Sequence, residues 1–133
     1  MSSGQSKVLQ SLTRPSARDL SSYQYHAMKI DTSDQIDYVD TSSAGTCIGI
    51  LQNKPDTAGE EGEIAIAGTS LLIVTATSTN IAVGDKLGSD ASYHGAKVST
   101  DTSKYFAIAL EASTADGDLI EVLLCPGNHT ISA

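Results

Sequence analysis

The sequence predicts a mainly β protein, in which an extended N-terminal arm precedes a small β-barrel or β-sandwich body. From Leu20 onward, short apolar runs alternate with clusters of turn residues, which is typical of a sandwich or barrel. No segment has a sustained apolar period of 3.6 residues, so we expect few and short helices. The 133 residues suffice for one compact domain. We therefore assign residues 1–19 to the arm and residues 20–133 to a single β-rich body.

The arm is the only basic part of the chain. It carries Lys7, Arg14 and Arg18, which include both arginines of the protein, and it has no acidic residue through position 18. Because the net charge of the whole chain is −8, residues 19–133 carry −11. Guanidinium groups bind carboxylates through two parallel hydrogen bonds, so Arg14 and Arg18 are predicted to grip an acidic protein surface. The alternative interpretation is a solvated, disordered tail.

Three large apolar side chains interrupt the polar sequence of the arm, at Val8, Leu9 and Leu12. Two hypotheses account for them. They form either one turn of an amphipathic helix or a set of pegs that fill pockets on a partner. With Arg14 and Arg18, they are the candidate binding residues of the arm.

The elements of the body follow from alternation and turn chemistry. An alternating segment at 23–28 is followed by a turn at 31–34, and a Ser-rich loop spans 41–45. Gly68 is expected at a bend or bulge, and Pro126-Gly127 is expected to end the last strand. Asp116-Gly117 predicts a tight connection before that strand. The apolar runs predict strands over residues 36–39, 47–51, 63–67, 71–76, 96–98, 105–110 and 119–124.

Gly84 and Asp85 are predicted to form a tight turn between two strands of the body. They lie in Ile81-Ala82-Val83-Gly84-Asp85-Lys86-Leu87, between apolar residues. Glycine adopts a positive φ without a steric penalty, and an Asp side chain accepts hydrogen bonds from the backbone of its own turn. We therefore predict that this pair serves the fold rather than the function.

Composition excludes several classes of function. The acidic body argues against a nucleic-acid-binding protein, which needs a basic surface. No run of about eighteen apolar residues is present, so no membrane span is expected. The N-terminus lacks the apolar region of a secretory signal, which favours synthesis in the cytoplasm. In that reducing compartment Cys47 and Cys125 are expected to be buried thiols.

No pattern of residues in the sequence indicates a catalytic, metal-binding or cofactor-binding site. The histidines His26, His94 and His129 lie in different elements, without a His or Cys at metal-ligand spacing. Pairs of acids such as Asp31/Asp34 and Asp116/Asp118 lie in predicted turns, where Asp commonly caps the backbone. Phosphate-binding and nucleophile-elbow motifs are absent from the sequence. We therefore expect no catalytic residues, no metal and no cofactor.

Four segments, taken in order, resemble the head decoration, or capsid cement, proteins of tailed bacteriophages. They are Cys47-Ile48-Gly49-Ile50-Leu51-Gln52 with Lys54-Pro55, Gly62 to Gly68, Ile81 to Leu87, and Ala107 to Ala112 with Asp116 to Leu124. The resemblance covers roughly residues 45–125. It implies a non-enzymatic viral structural protein that binds the major capsid protein on the outer surface of the virion. It also implies a homotrimer that clamps neighbouring capsid subunits.

The composition is consistent with self-association. Trp is absent and Phe106 is the only phenylalanine, so the core must be built from smaller aliphatic residues. One alternative function is a lipoyl- or biotinyl-like carrier barrel, but Lys86 directly follows the predicted turn instead of standing at a hairpin tip. The other is a trimeric β enzyme, for which no convergent set of polar residues is found.

Overall fold

The computed structural model describes residues 7–39, 47–76, 80–89, 93–98 and 104–130, without the side chains of residues 104 and 126–130. Within these ranges the chain forms strands and no helix, which confirms the predicted mainly β class. None of the described residues forms a helix long and apolar enough to cross a lipid bilayer. The strands are β1 (Lys7–Pro15), β2 (Ala27–Ile30), β3 (Ile36–Tyr38), β4 (Gly49–Leu51), β5 (Glu61–Thr75), β6 (Lys86–Ser89), β7 (Gly95–Lys97), β8 (Lys104–Ala109) and β9 (Asp118–Thr130).

Five strands close into a barrel. Their order is β5-β7-β6-β8-β9, and β9 pairs back to β5, so this part of the sheet closes on itself. The β5–β7 pair is parallel, whereas the other pairs of the barrel are antiparallel. The interior is filled by aliphatic side chains with Phe106, including the fully buried Leu72, Val74 and Leu87. Of the two predicted body types, the barrel is therefore the one formed.

The remaining strands extend the sheet from the first half of β5. There β5 pairs with β1 on one side and with β4 on the other, and β4 continues through β2 to β3. A parallel bridge between Ser16 and Ile36 then joins the end of β1 to β3. A second apolar cluster fills this extension, around Met28, Leu51 and Ile64.

Strand β5 is the element shared by the barrel and the extension. Neighbouring residues of a strand face opposite sides of the sheet. Accordingly, Ile64 belongs to the cluster of the extension, whereas Ala65 belongs to the barrel core. The sequence predicted two strands here, at 63–67 and 71–76, but the structure has one. Gly68, with a φ of 99°, lies within β5 where its register with β1 is irregular, so the predicted bulge is present without ending the strand.

Three other predictions of elements are wrong. The arm has no helical turn at Val8, Leu9 and Leu12, because these residues lie in β1. The alternating segment at 23–28 is mostly irregular, and its strand begins only at Ala27. The last strand does not stop at Pro126-Gly127, since β9 continues to Thr130.

The continuation of β9 past its proline has a physical reason. The register between β8 and β9 shifts between Tyr105 and Ala107, opposite the segment that contains Pro126. Proline cannot donate a backbone hydrogen bond, and an irregular stretch of a ladder has no need of that donor. The predicted loop at 41–45 lies outside the described residues.

Candidate functional site

The N-terminal strand β1 lies on one side of β5 and is the part of the chain in which the sequence placed its binding residues. Ser16 donates its N–H to the Glu60 carbonyl at 2.7 Å, whereas Ala17 donates to the Ile36 carbonyl of β3 at 2.8 Å. Successive residues of a strand point their backbone groups to opposite sides. By this alternation the backbone groups of Thr13 and Pro15 face away from β5.

The end of β1 near β3 is protected against further strand pairing. Pro15 has no N–H to offer, and Arg14 donates from Nη1 to the carbonyl of Thr13 at 2.8 Å. Prolines and long basic side chains are two common devices for blunting the edge of a sheet. At the opposite end of the strand, Lys7 supplies another long basic side chain.

Leu9 is the most exposed large apolar side chain of the described residues, at 74%. The register of β1 and β5 passes from Val8↔Gly68 to Gln10↔Ala67, so Leu9 has no partner and forms a β-bulge. A Cβ on Gly68 would lie 2.7 Å from the Leu9 nitrogen and 3.1 Å from its Cγ. Bulges often redirect a side chain at a sheet edge. This one leaves Leu9 lying over Gly68 and projecting into solvent.

The other two apolar residues of the arm are turned toward the protein. Val8 packs against the barrel core, and Leu12 is half-buried beside Ile64 of β5. Of the three proposed pegs, Leu9 alone is fully available to a partner.

Arg14 forms an ion pair with the body. Its Nε lies 3.1 Å from Oδ1 of Asp34, in the turn between β2 and β3. The two side chains remain 40% and 73% exposed, so this pair is accessible to solvent. Exposed pairs of this kind contribute roughly 0–1 kcal/mol.

Arg18 makes a more extensive set of contacts. Its Nη2 donates to Asp37 at 2.8 Å, its Nη1 donates to the Tyr38 hydroxyl at 2.9 Å, and its guanidinium lies 4.6 Å from the centre of the Tyr38 ring. The hydrogen bond to Asp37 raises the pKa of Arg18. The Asp37 side chain is only 11% exposed, whereas half of the Arg18 surface stays exposed. Arg18 therefore fastens the end of the arm to β3 and still presents a face to solvent.

The sequence analysis missed a cluster of aromatic rings next to Arg18. Tyr38 stacks on Tyr93 with ring centres 4.0 Å apart, and Tyr23 lies edge-on to Tyr93 at 5.7 Å. His26 and His94 approach each other to 5.0 Å. The signal was present in the sequence, because three of the five tyrosines lie between positions 23 and 38. These rings pack on one another, so the cluster holds the extension against the β6–β7 hairpin.

The Gly84-Asp85 turn lies on the barrel, far along the sequence from the arm. Gly84 has a φ of 92° and donates its N–H to the Ala109 carbonyl at 2.8 Å. Oδ2 of Asp85 accepts the N–H of Ala82 at 2.8 Å and lies 3.6 Å from Nζ of Lys97. The turn thus joins β6 to the end of β8. Its predicted role in the fold rather than in function stays a prediction.

The two cysteine thiols differ in their burial. Cys47 is buried, and burial raises its pKa to about 12. Cys125 is only partly buried, so its description as a buried thiol is wrong. Burial also raises the pKa of Cys125, against an opposing effect of Lys86. In the part of the chain that the structure describes, no group of three or more His, Cys, Asp and Glu side chains is placed to hold a metal ion.

Comparison with known protein families identifies the class of protein to which this closed β-barrel with its added sheet belongs. The family model described as phage cement protein matches residues 24–124, more than half of the chain. The chain therefore belongs to the phage cement protein family and is a component of the virion at the capsid. The resemblance noted in the sequence is confirmed.

A solved structure has the same fold. The crystal structure of the N base of head fiber gp8.5 from bacteriophage phi29 superposes with a TM-score of 0.59 over 90% of this chain and 97% of that chain. The two sequences are 14% identical, so this likeness concerns the fold. No curated protein sequence matches the chain. The family match begins at residue 24 and so leaves β1 outside it.

Proposed function

We propose that this protein is a non-enzymatic head decoration protein that binds the outside of the assembled capsid and stabilises it by clamping neighbouring capsid subunits. The observation that carries the proposal is the family match over residues 24–124. Clamping neighbouring capsid subunits requires a rigid body and a segment that binds the shell. The closed barrel is suited to the first, and β1 with its exposed Leu9 is suited to the second.

The proposal is tested by incubating the purified protein with expanded phage heads that lack it. Bound protein is expected to sediment with the heads and to appear as protrusions on their outer surface by electron microscopy. Decorated heads are expected to withstand heat or chelation longer than bare ones. Heads that neither bind the protein nor gain stability would contradict the proposal.

The gripping residues are proposed to be those of the arm, with Leu9 as the apolar peg and Arg14 and Arg18 as the charged contacts. Val8 and Leu12 contribute by holding the strand in place, since both face the body. Truncating one partner of a buried charge pair at an interface costs on the order of 2–5 kcal/mol. Replacing both Arg14 and Arg18 with Ala should therefore abolish or strongly weaken shell binding without changing the circular dichroism spectrum.

The intramolecular ion pairs supply a matched control. Asp34→Asn and Asp37→Asn remove the charges that pair with the two arginines but leave the arginines in place. If the guanidinium groups contact the shell, these variants should bind it as well as the wild type or better. If the arginines only order the arm, the Asp variants should lose binding as the Arg variants do. That result would remove Arg14 and Arg18 from the interface.

The working form is proposed to be a homotrimer, as is common for proteins that decorate threefold positions of a shell. Three arms on one particle would give avidity, so that each arm can bind weakly while the assembly stays attached. Sedimentation equilibrium at micromolar concentration measures the state directly. A single species at 13.8 kDa, the mass of one chain, would contradict the trimer.

A further inference from the structure

Two of the exposed large apolar side chains of the described residues, Leu123 and Leu110, lie on the outer face of the barrel. Leu123 of β9 is 41% exposed and pairs with Ile108 of β8 and with Thr69 of β5. Residues directly opposite in a sheet project on the same face, so these three share the outer face of the barrel. Leu110, 38% exposed, lies two positions beyond Ile108 and donates its N–H to Glu121, two positions before Leu123. It continues the same face.

Val83 lies beside this face. Val83, 65% exposed, belongs to the turn whose Gly84 is hydrogen-bonded to Ala109, next to Leu110. We call Leu123, Leu110 and Val83 the apolar band. Large exposed apolar patches are rare on monomeric proteins and often mark binding sites.

The charges beside the apolar band are arranged in two rows. One row consists of Thr69, Leu123 and Ile108, which pair side by side across β5, β9 and β8. Lys7 pairs with Thr69 at one end of this row, and Lys86 pairs with Ile108 at the other end. In the next row lies Glu121, which pairs with Leu71. The Glu121 N–H donates to Glu111 at 2.8 Å, which brings a second carboxylate to that row. A row of cations thus runs beside a row of anions across the same apolar surface.

This arrangement favours a second copy of the chain as the occupant. Residues 19–133 carry −11, so contacts between two copies through most other surfaces of the body bring acid against acid. On the apolar band the charges balance, and the lysine row of one copy complements the glutamate row of the next. A contact between two different parts of a surface is head-to-tail, and it closes into a ring when the rotation between neighbours allows closure.

We propose that the apolar band is the contact surface between copies of this chain, with the Lys7/Lys86 row of one copy against the Glu111/Glu121 row of its neighbour. The inference rests on the proposed function, which includes self-association. To that self-association the inference adds the residues through which two copies touch. These residues differ from Arg14 and Arg18, which are proposed to contact the shell.

The test uses a charge in the centre of the row that the two lysines flank. Leu123→Asp should weaken self-association on the order of tenfold or more, because central apolar residues dominate interface energies. Ala58→Asp adds the same charge in the exposed turn before β5, outside the band, and should associate as the wild type does. Sedimentation equilibrium gives the association constants, and circular dichroism checks that each variant is folded.

Charge reversal tests the orientation. Lys86→Glu and Glu121→Lys should each weaken association, and the double variant should restore it, since the new glutamate of one copy then faces the new lysine of the next. The inference is overturned by a wild-type monomer, by a folded Leu123→Asp variant that associates normally, or by a double variant no better than the single ones. Head binding is measured separately. A wild-type protein that self-associates but does not bind heads would overturn the proposed function, whereas one that binds heads as a monomer would overturn this inference.

Discussion

Gly84 shows how one residue's backbone conformation restricts which side chains the fold accepts. Its φ of 92° lies in the left-handed region, and a Cβ built there would have nothing within 4 Å. Space is therefore available, and the restriction comes from the backbone alone. A residue other than glycine pays roughly 1–2 kcal/mol in this conformation.

Gly84→Val should accordingly lower the melting temperature by several degrees. Gly84→Asn should lower it less, because Asn tolerates the left-handed region better than a β-branched residue does. Thermal unfolding followed by circular dichroism measures both changes. Shell binding should fall only in proportion to the unfolded fraction. A variant that stays folded but loses binding would show that the turn itself belongs to the functional surface.

The thiols give a second prediction at the scale of single residues. The thiolate is the reactive form, so a raised pKa and burial both protect a cysteine. Cys47, with a pKa of about 12, should react with a thiol reagent only when the protein unfolds, whereas Cys125 should react in the native state. Mass spectrometry of the alkylated protein identifies the modified residue. Equal rates for the two thiols in the folded protein would contradict the structure.

At the scale of elements, the pairing of β1 with β5 depends on Gly68. This glycine combines a positive φ with a close approach of the Lys7 and Leu9 backbone. By contrast, Gly59 has a φ of 93° but no atom within 4 Å of its Cβ position. Substitutions at these two glycines therefore separate the energetic cost of a positive φ from the cost of a steric clash with the neighbouring strand.

Gly68→Ala should destabilise the pairing of β1 more than Gly59→Ala destabilises its loop. Both variants pay for the backbone conformation, about 1–2 kcal/mol, but only the first forces the two strands apart. Hydrogen exchange of the β1 amides should accelerate in Gly68→Ala and stay unchanged in Gly59→Ala. Equal exchange in the two variants would mean that β1 does not depend on this close approach.

At the scale of the whole molecule, two apolar clusters share one long strand. Leu72 lies in the barrel cluster, Leu51 lies in the extension, and β5 runs through both. The stack of Tyr38 on Tyr93 adds a second connection between the extension and the β6–β7 hairpin. The barrel and the extension should therefore unfold together.

Leu72→Ala and Leu51→Ala should each cost about 2–5 kcal/mol, because both leucines are fully buried and leave a cavity. Near-ultraviolet circular dichroism reports mostly on the extension, which holds three of the five tyrosines, and the reactivity of Cys47 reports on the barrel cluster that buries its side chain. In each variant the two probes should show one coincident transition. Separate transitions would mean that the two parts are independent folding units.

Much of the fold follows from short-range patterns. The predicted strands at 36–39, 47–51 and 105–110 correspond to β3, β4 and β8, because alternation and turn residues act over a few positions. Positive φ angles at Gly68, Gly84 and Gly117 lie where the sequence placed bends and turns. The candidate site was predicted less completely. The exposure of Leu9 depends on a bulge, and the partners of Arg14 and Arg18 lie about twenty residues away.

The sequence by itself determined the β class, the turns, the family and the separation of a basic arm from an acidic body. Each of these features follows from local composition or from short motifs. Only the tertiary structure decided that β9 closes the barrel onto β5, that β1 lies along the same strand, and that Leu9 projects from a bulge there. Pairing between strands distant in sequence is set by the packing of side chains across the sheet, and no local pattern encodes which strands become neighbours.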